Sequence, residues 1–387
     1  EAAKTWSGEW WKVGGGGPVW NGMAYDPDAD IVYVGTGQPG PWSDQARGKG
    51  DNLFTDCILA VRGATGKLVW YYQEVPGDNW DFDSIADLML AELPVNGKTR
   101  KVIMQAPKDG FFYVLDRLTG ELLSAEPWIT VNWASGVNLK TGRPVINPEA
   151  NYKNDTVAVM PGPVGGHVWP PWSYNPTTGL VYIPSLVGAA FSFAADPKFV
   201  PSSPDLGEKG KGQYNMGISF ARPRPANAEA HADNPFTPPT PDPALPKIGP
   251  EGNGNILIAW DPIAGKERWR GLAAGQTQGG TMSAGNLVFV SIDKRLIVYR
   301  ADNGDQLADI RTGLTMMTPP MTFLIDGKQY IAVAGGPGNA PAPTFGEEPV
   351  ETKVKLPPSH LLVYALDGKA GLPKDLTAPA ASGTPGK

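Results

Sequence analysis

Residues 60–70 read Ala60-Val61-Arg62-Gly63-Ala64-Thr65-Gly66-Lys67-Leu68-Val69-Trp70. A strand-forming run ends near Arg62, a tight turn occupies Thr65-Gly66-Lys67, and a return strand carries Trp70. Glycine at 66 suits a turn that needs positive φ, where a Cβ is penalised. The unit returns as Ala259, Asp261, Ala264-Gly265-Lys266 and Trp269 at the same spacing. Weaker copies are Val114, Asp116, Thr119-Gly120-Glu121, Ser124 and Val298, Arg300, Asn303-Gly304-Asp305, Ala308. A second pattern, Ala24-Tyr25-Asp26-Pro27 before Ile31-Val32-Tyr33, matches Ser173-Tyr174-Asn175-Pro176 before Leu180-Val181-Tyr182. Unrelated hairpins with common turn chemistry account for one such copy, not for four. Recurring four-stranded units, with a Trp long enough to lie between neighbouring sheets, predict an all-β fold, a β-propeller.

The composition agrees. With 48 Gly and 40 Pro among 387 residues, the chain is cut into short pieces that exclude long helices and coiled coils. Apolar runs such as Ile31–Val34, Leu180–Ile183 and Leu287–Val290 are bounded by turn formers and read as buried strands. The best helix candidate, Ser84–Glu92, fits a strand equally well. A net charge of −6 argues against binding a phosphate backbone. The single Cys, Cys57, excludes an intrachain disulfide and a cysteine-rich metal site, and reads as a small buried residue in the strand Thr55–Val61. No apolar run approaches the ~20 residues of a membrane helix, and Glu1–Trp6 lacks the features of a secretory signal. Residues 221–250 hold nine prolines and cannot form a central strand, so they read as a long excursion. Residues 369–387 read as a disordered tail or linker.

Four segments carry candidate chemistry. Asp78, Asp81 and Asp83, interleaved with Trp80 and Phe82, suit a hard-cation loop or simply an acidic turn. Gln38, at a strand end among glycines, offers one amide oxygen. Lys108 sits at a turn before the apolar run Phe111-Phe112-Tyr113, either as a solvated charge or aimed at a ligand. Trp20, after Gly14–Gly17, is either a core residue or a floor for a flat ligand.

Taken together, these segments resemble the quinoprotein alcohol dehydrogenases, which use pyrroloquinoline quinone (PQQ) in an eight-bladed propeller. The resemblance runs nearly end to end. It includes Gly-Asp-Asn-Leu-Phe (50–54), Pro-Gly-Asp-Asn-Trp-Asp (76–81), Phe-Phe-Tyr-Val-Leu-Asp-Arg (111–117), Val-Asn-Trp-Ala-Ser-Gly-Val (131–137) and Asp-Gly-Lys-Gln-Tyr (326–330). It implies that Trp20 and Trp169 lie against PQQ, that Lys108 bonds the quinone carbonyls, and that Asp81 is the general base beside the metal. Gln38 stands at a metal-ligating Asn position. The implied activity is oxidation of an alcohol, with Ca2+ assisting and a c-type cytochrome receiving the electrons, in the periplasm.

Departures from the family pattern are Gln38 for Asn, Val168 for a common Asn, and Thr277-Gln278-Gly279-Gly280 for Trp-Asn-Gly-Gly. Asp83 resembles the extra carboxylate of the lanthanide-dependent branch, which would add a third metal ligand beside Gln38 and Asp81 and favour a trivalent ion. Blade markers cover about five of eight blades, within residues 1–368. The resemblance therefore implies a propeller missing its N-terminal blades, with further chain or a partner completing the ring. With no Cys-x-x-Cys-His haem motif, electrons would leave to a separate cytochrome or to a haem domain beyond the tail. The rival readings are a non-catalytic, protein-binding propeller and a fragment inactive by itself.

Overall fold

The computed structural model describes residues 2–12, 15–196, 216–218, 254–272, 279–292, 294–336 and 358–377. Within these, the repeats become blades. The first blade is Ala24–Asp26, Ile31–Gly35, Cys57–Arg62 and Leu68–Gln73. The second is Met89–Val95, Lys98–Gln105, Phe111–Asp116 and Leu122–Pro127. Ser173–Asn175, Leu180–Val187, Gly254–Asp261 and Lys266–Leu272 form the third. The fourth is Thr281–Ala284, Leu287–Ile292, Arg295–Arg300 and Gln306–Arg311, and a fifth, three-stranded sheet is Met321–Ile325, Lys328–Gly335 and His360–Ala365. Each sheet is an antiparallel meander in chain order.

The quoted repeat is the outer hairpin of a blade, and its register is the same four times. Ala60 pairs with Trp70, Val114 with Ser124, Ala259 with Trp269 and Val298 with Ala308. In each, one extra residue bulges before the next pair: Val69, Leu123, Arg268 or Leu307. The acidic or amide residue of the repeats shapes the turns. Asp116 Oδ1 accepts from Leu118 N and Thr119 N, Asp261 Oδ1 from Ile263 N and Ala264 N, and Asn175 Oδ1 from Thr177 N and Thr178 N.

Blade-to-blade packing uses the same residues. Tyr33 Oη and Trp70 Nε1 of the first blade both donate to Arg117 O of the second, at 2.8 and 3.1 Å. Tyr182 Oη and Trp269 Nε1 of the third donate to Ala301 O of the fourth, at 2.8 and 3.0 Å. Gly120 does two jobs: it takes φ +76°, and it lies flat under Trp70, whose ring a Cβ would meet at 2.7 Å. Strands of an interior blade are buried on both faces. Phe111, Tyr113 and Leu115 face the first blade's Ile58 and Trp70, whereas Phe112 and Val114 face the third blade's Val181 and Ile258. That is why these strands read as unbroken apolar runs rather than as an alternation.

Ser84–Glu92 resolves as loop to Leu88 and strand from Met89, with no helix. Cys57 is fully buried at the start of its strand. Residues 221–250 and Thr277-Gln278 lie outside the described residues. The start of the segment read as a tail needs correction: Lys374–Thr377 forms one helical turn, and Leu372 and Leu376 pack against the cluster around Leu314 and Leu362. Apolar contact holds this turn to the body.

Candidate active site

The loop after the first blade is organised by Asp78. Its carboxylate accepts from Trp80 N and Phe82 N, both at 2.7 Å. Trp80 and Phe82 are thereby packed inward against Trp133, at ring separations of 5.6 and 5.2 Å. Asp81 and Asp83, on the intervening positions, meet Lys108 from the second blade. Lys108 Nζ lies 2.9 Å from Asp81 Oδ2, 2.6 Å from Asp83 Oδ2 and 3.0 Å from Asp81 O. All three side chains are buried. Asp81 adopts φ +68°, a conformation uncommon for a non-glycine residue and one that concentrates at functional sites.

Two carboxylates and one ammonium leave a net negative charge in a low-dielectric setting. Burial pushes the Asp81 carboxyl well above the usual range; Lys108 opposes this and Asp83 adds to it. For Lys108, burial pulls downward, yet Asp81 and Asp83 outweigh it and the ammonium is held more firmly than usual. Asp81 Oδ2 is engaged by Lys108, while its Oδ1 makes no hydrogen bond among the described residues. The reading of Lys108 as a solvated turn charge, and that of Asp83 as a solvated turn residue, are therefore corrected.

Gln38 joins the cluster by its backbone: its N–H donates to Asp83 Oδ1 at 2.9 Å and its carbonyl accepts from Gly17 N at 3.1 Å. Gly37 N in turn donates to Pro18 O, which brings the segment leading to Trp20 alongside. Trp20 is 46% exposed and so is not a core residue; Trp169 is 44% exposed. Neither indole makes a ring contact or hydrogen bond among the described residues, so each offers a face to a flat ligand. The glycine pair that precedes Trp169 by three residues packs on the lysine. Gly166 N donates to Lys108 O at 2.9 Å, and a Cβ on Gly165 would meet Lys108 Cβ at 2.4 Å.

Sequence reasoning assigned no role to three further residues. Asn21 Nδ2 donates to Ile85 O, fixing Trp20 to the segment after Asp83. Gln105 Nε2 donates to Ser84 O and Ala86 O, at 3.0 and 2.6 Å. His167 is buried with its ring nitrogens at two carbonyl oxygens. All three act on backbone carbonyls, which leave no mark in a sequence.

The oxygen donors of Asp81, Asp83 and the Gln38 amide suit a hard cation. Among the described residues no three His, Cys, Asp or Glu side chains are grouped to hold a metal by themselves. A metal here would need oxygens from the cofactor or from elsewhere. The half-exposed indoles suit the planar faces of a quinone.

A family model described as "Glucose/ethanol/alcohol dehydrogenase, beta-propeller domain" matches residues 1–126. The chain is 44% identical over 390 residues to quinohemoprotein alcohol dehydrogenase ADH IIB of Pseudomonas putida, covering 98% of this chain and 51% of that protein. The crystal structure of quinohemoprotein alcohol dehydrogenase from Comamonas testosteroni superposes with a TM-score of 0.77 at 36% identity, covering 96% of this chain and 52% of that one. A europium-containing methanol dehydrogenase matches with a TM-score of 0.68 at 29% identity, covering 86% and 53%. The chain thus spans about half the length of these relatives. Along nearly its whole sequence the chain is therefore similar to one half of the quinohemoprotein alcohol dehydrogenases, and its first third matches a β-propeller family model.

Proposed function

We propose that this chain supplies part of the active site of a PQQ-dependent enzyme that oxidises a primary or secondary alcohol to its carbonyl compound. The observation that carries the reading is the buried Asp81–Lys108–Asp83 constellation, with two open indoles on the segments leading from it. When bound, PQQ supplies a two-electron acceptor for the carbinol hydride, and a hard metal ion supplies Lewis acidity. Asp81 takes the hydroxyl proton on its Oδ1, the oxygen that Lys108 leaves unengaged. Lys108 keeps positive charge where negative charge develops on a quinone oxygen. Trp20 and Trp169 present flat apolar faces that orient the ring and exclude water.

Asp81, Asp83 and Gln38 are the residues we assign to the metal. Ca2+ is the principal candidate. A lanthanide ion is the alternative, supported by the second carboxylate and by the likeness to a europium-containing enzyme. A c-type cytochrome as electron acceptor and a periplasmic location belong to the same reading; one relative, 35% identical, is named lupanine 17-hydroxylase [cytochrome c]. Exposed apolar residues on the end blades, Val69 and Tyr71 on the first and Leu361 and Val363 on the fifth, support completion of the ring by further blades. A protein-binding propeller without catalysis would have no use for a buried lysine shared by two aspartates.

The test is dye-linked alcohol oxidation by the complete protein, with the ring closed, loaded with PQQ and Ca2+. Asp81→Asn abolishes turnover while leaving the unfolding temperature near wild type. Wild-type turnover by that variant rules out the base assignment.

A further inference from the structure

His167 lies between the two loops that carry the proposed quinone-facing residues. It is 3% exposed. Its Nδ1 is 2.7 Å from Ala106 O, two residues before Lys108, and its Nε2 is 2.6 Å from Pro170 O, immediately after Trp169. The ring therefore spans from the lysine loop to the tryptophan loop. A neutral imidazole has one N–H and donates to one of these carbonyls; a protonated ring donates to both. A neutral ring thus bonds one carbonyl only, and it is the ring donating from both nitrogens that links backbone groups which no strand ladder connects. The surrounding contacts make that link matter. Gly166 N is bonded to Lys108 O, Leu186 N to Gly166 O, and Gly165 rests on the lysine stem. The loop is thus anchored at Gly165–Gly166, and His167 fixes how it leaves that anchor toward Trp169.

We propose that His167 is a positioning residue that sets the separation of Lys108 and Trp169, and with it the fit of the quinone between them. The proposal rests on the reading of function given above. A link of this kind acts through the residues it holds; at metal sites, loss of such an outer hydrogen bond costs about 10- to 100-fold in metal affinity or activity, and a loss of that order in PQQ affinity is the expectation at His167.

The experiment titrates PQQ, in the presence of Ca2+, into the full 387-residue chain and follows quenching of tryptophan fluorescence. The proteins compared are wild type, His167→Gln and His167→Phe. Gln keeps a donor; Phe keeps a ring of similar size and removes both nitrogens. The expected result is that His167→Phe weakens PQQ binding at least tenfold while His167→Gln recovers most of it. Unfolding temperatures without PQQ identify any variant that fails to fold. The wild-type chain provides a second readout that needs no folded Phe variant. It has three histidines, so selective ring-15N labelling gives few resonances, and His167→Gln identifies the pair from His167. Those resonances shift as PQQ is added. Equal affinities in all three proteins, or equal losses in both variants, overturn the positioning role. Binding of PQQ by wild type without movement of the His167 resonances does so too. Failure of the wild-type chain to bind PQQ overturns the reading of function, and the positioning role with it.

Discussion

Lys108 Nζ sits 2.6 Å from Asp83 Oδ2 and 2.9 Å from Asp81 Oδ2, so one buried ammonium serves two carboxylates. Removing it leaves two like charges in a site that excludes water. Breaking a buried pair from one side typically costs about 3–5 kcal/mol. Lys108→Met is therefore expected to lower the unfolding temperature strongly at pH 7. Adding Ca2+ restores much of the loss. Thermal melts with and without metal check this; a variant as stable as wild type at pH 7 contradicts this charge balance.

Both oxygens of Asp83 are occupied, one by Lys108 and the other by Gln38 N. If Asp83 also ligates a metal, its charge matters more to a trivalent ion than to a divalent one. Asp83→Ala should then reduce La3+-supported alcohol oxidation by more than tenfold relative to Ca2+-supported oxidation. Activity that responds equally with the two ions removes Asp83 from the metal site.

The interior beneath the site holds more carboxyls than it can charge. Burial raises Asp78 to about 6 and Asp109 to about 7, and pushes Asp56 and Glu74 well above the usual range. These groups bind protons more tightly folded than unfolded. The native state therefore holds extra protons between the ordinary carboxylate range, about pH 4, and about pH 7, and stability falls as pH rises through that window. The opposite trend, from depressed groups such as Asp26 and Asp116, acts only below it. The Glu74 carboxylate oxygens make no hydrogen bond within normal geometry among the described residues. Glu74→Gln, neutral at every pH, should raise the unfolding temperature at pH 8 more than at pH 5. A parallel shift at both pH values would show that burial does not raise the Glu74 carboxyl above its unfolded range.

Gly165 and Gly66 have similar backbone angles, φ +75° and +68°, but different neighbours. A Cβ added at Gly66 would have nothing within 4 Å, whereas one added at Gly165 would meet Lys108 Cα, Cβ and Cγ at 2.4–2.5 Å. Alanine at either position costs about 1–2 kcal/mol for the left-handed conformation. Only Gly165→Ala must also displace the lysine. It should lower PQQ affinity or turnover about 10- to 100-fold, with Gly66→Ala retaining wild-type values. Equal effects of the two substitutions on PQQ binding would refute the close fit at Lys108.

The blade hairpins were legible because each marker acts locally. Gly120 makes its turn, Asp116 caps it, and Trp70 reaches one neighbour. Short apolar runs likewise announced strands buried on two faces. Ser84–Glu92 stayed ambiguous because a distant residue decides it: Gln105 takes the carbonyls of Ser84 and Ala86, which holds this part of the chain as loop. The site was legible only by resemblance. Nothing in the local pattern of Lys108 says that it will meet Asp81 and Asp83 across two blades. Asn21, Gln105 and His167 were not legible as positioning residues, since carbonyl oxygens are common to every residue type.

Arg117 O gives the most direct measure of how the blades are joined. It accepts from Tyr33 Oη and Trp70 Nε1, and Arg117 is itself buried. Either donor alone still satisfies the carbonyl, so Tyr33→Phe or Trp70→Phe should lose about 0.5–1.5 kcal/mol, with Trp70→Phe also losing some packing. Removing both leaves a buried acceptor unpaired and adds its desolvation cost of about 1–3 kcal/mol. The double variant is therefore expected to be less stable than the sum of the single variants, by a coupling measurable in denaturant unfolding. Tyr182→Phe and Trp269→Phe at Ala301 O should show the same coupling, because the third and fourth blades repeat the arrangement. Simple additivity at both carbonyls would mean that the shared acceptor contributes nothing to how one blade is seated on the next.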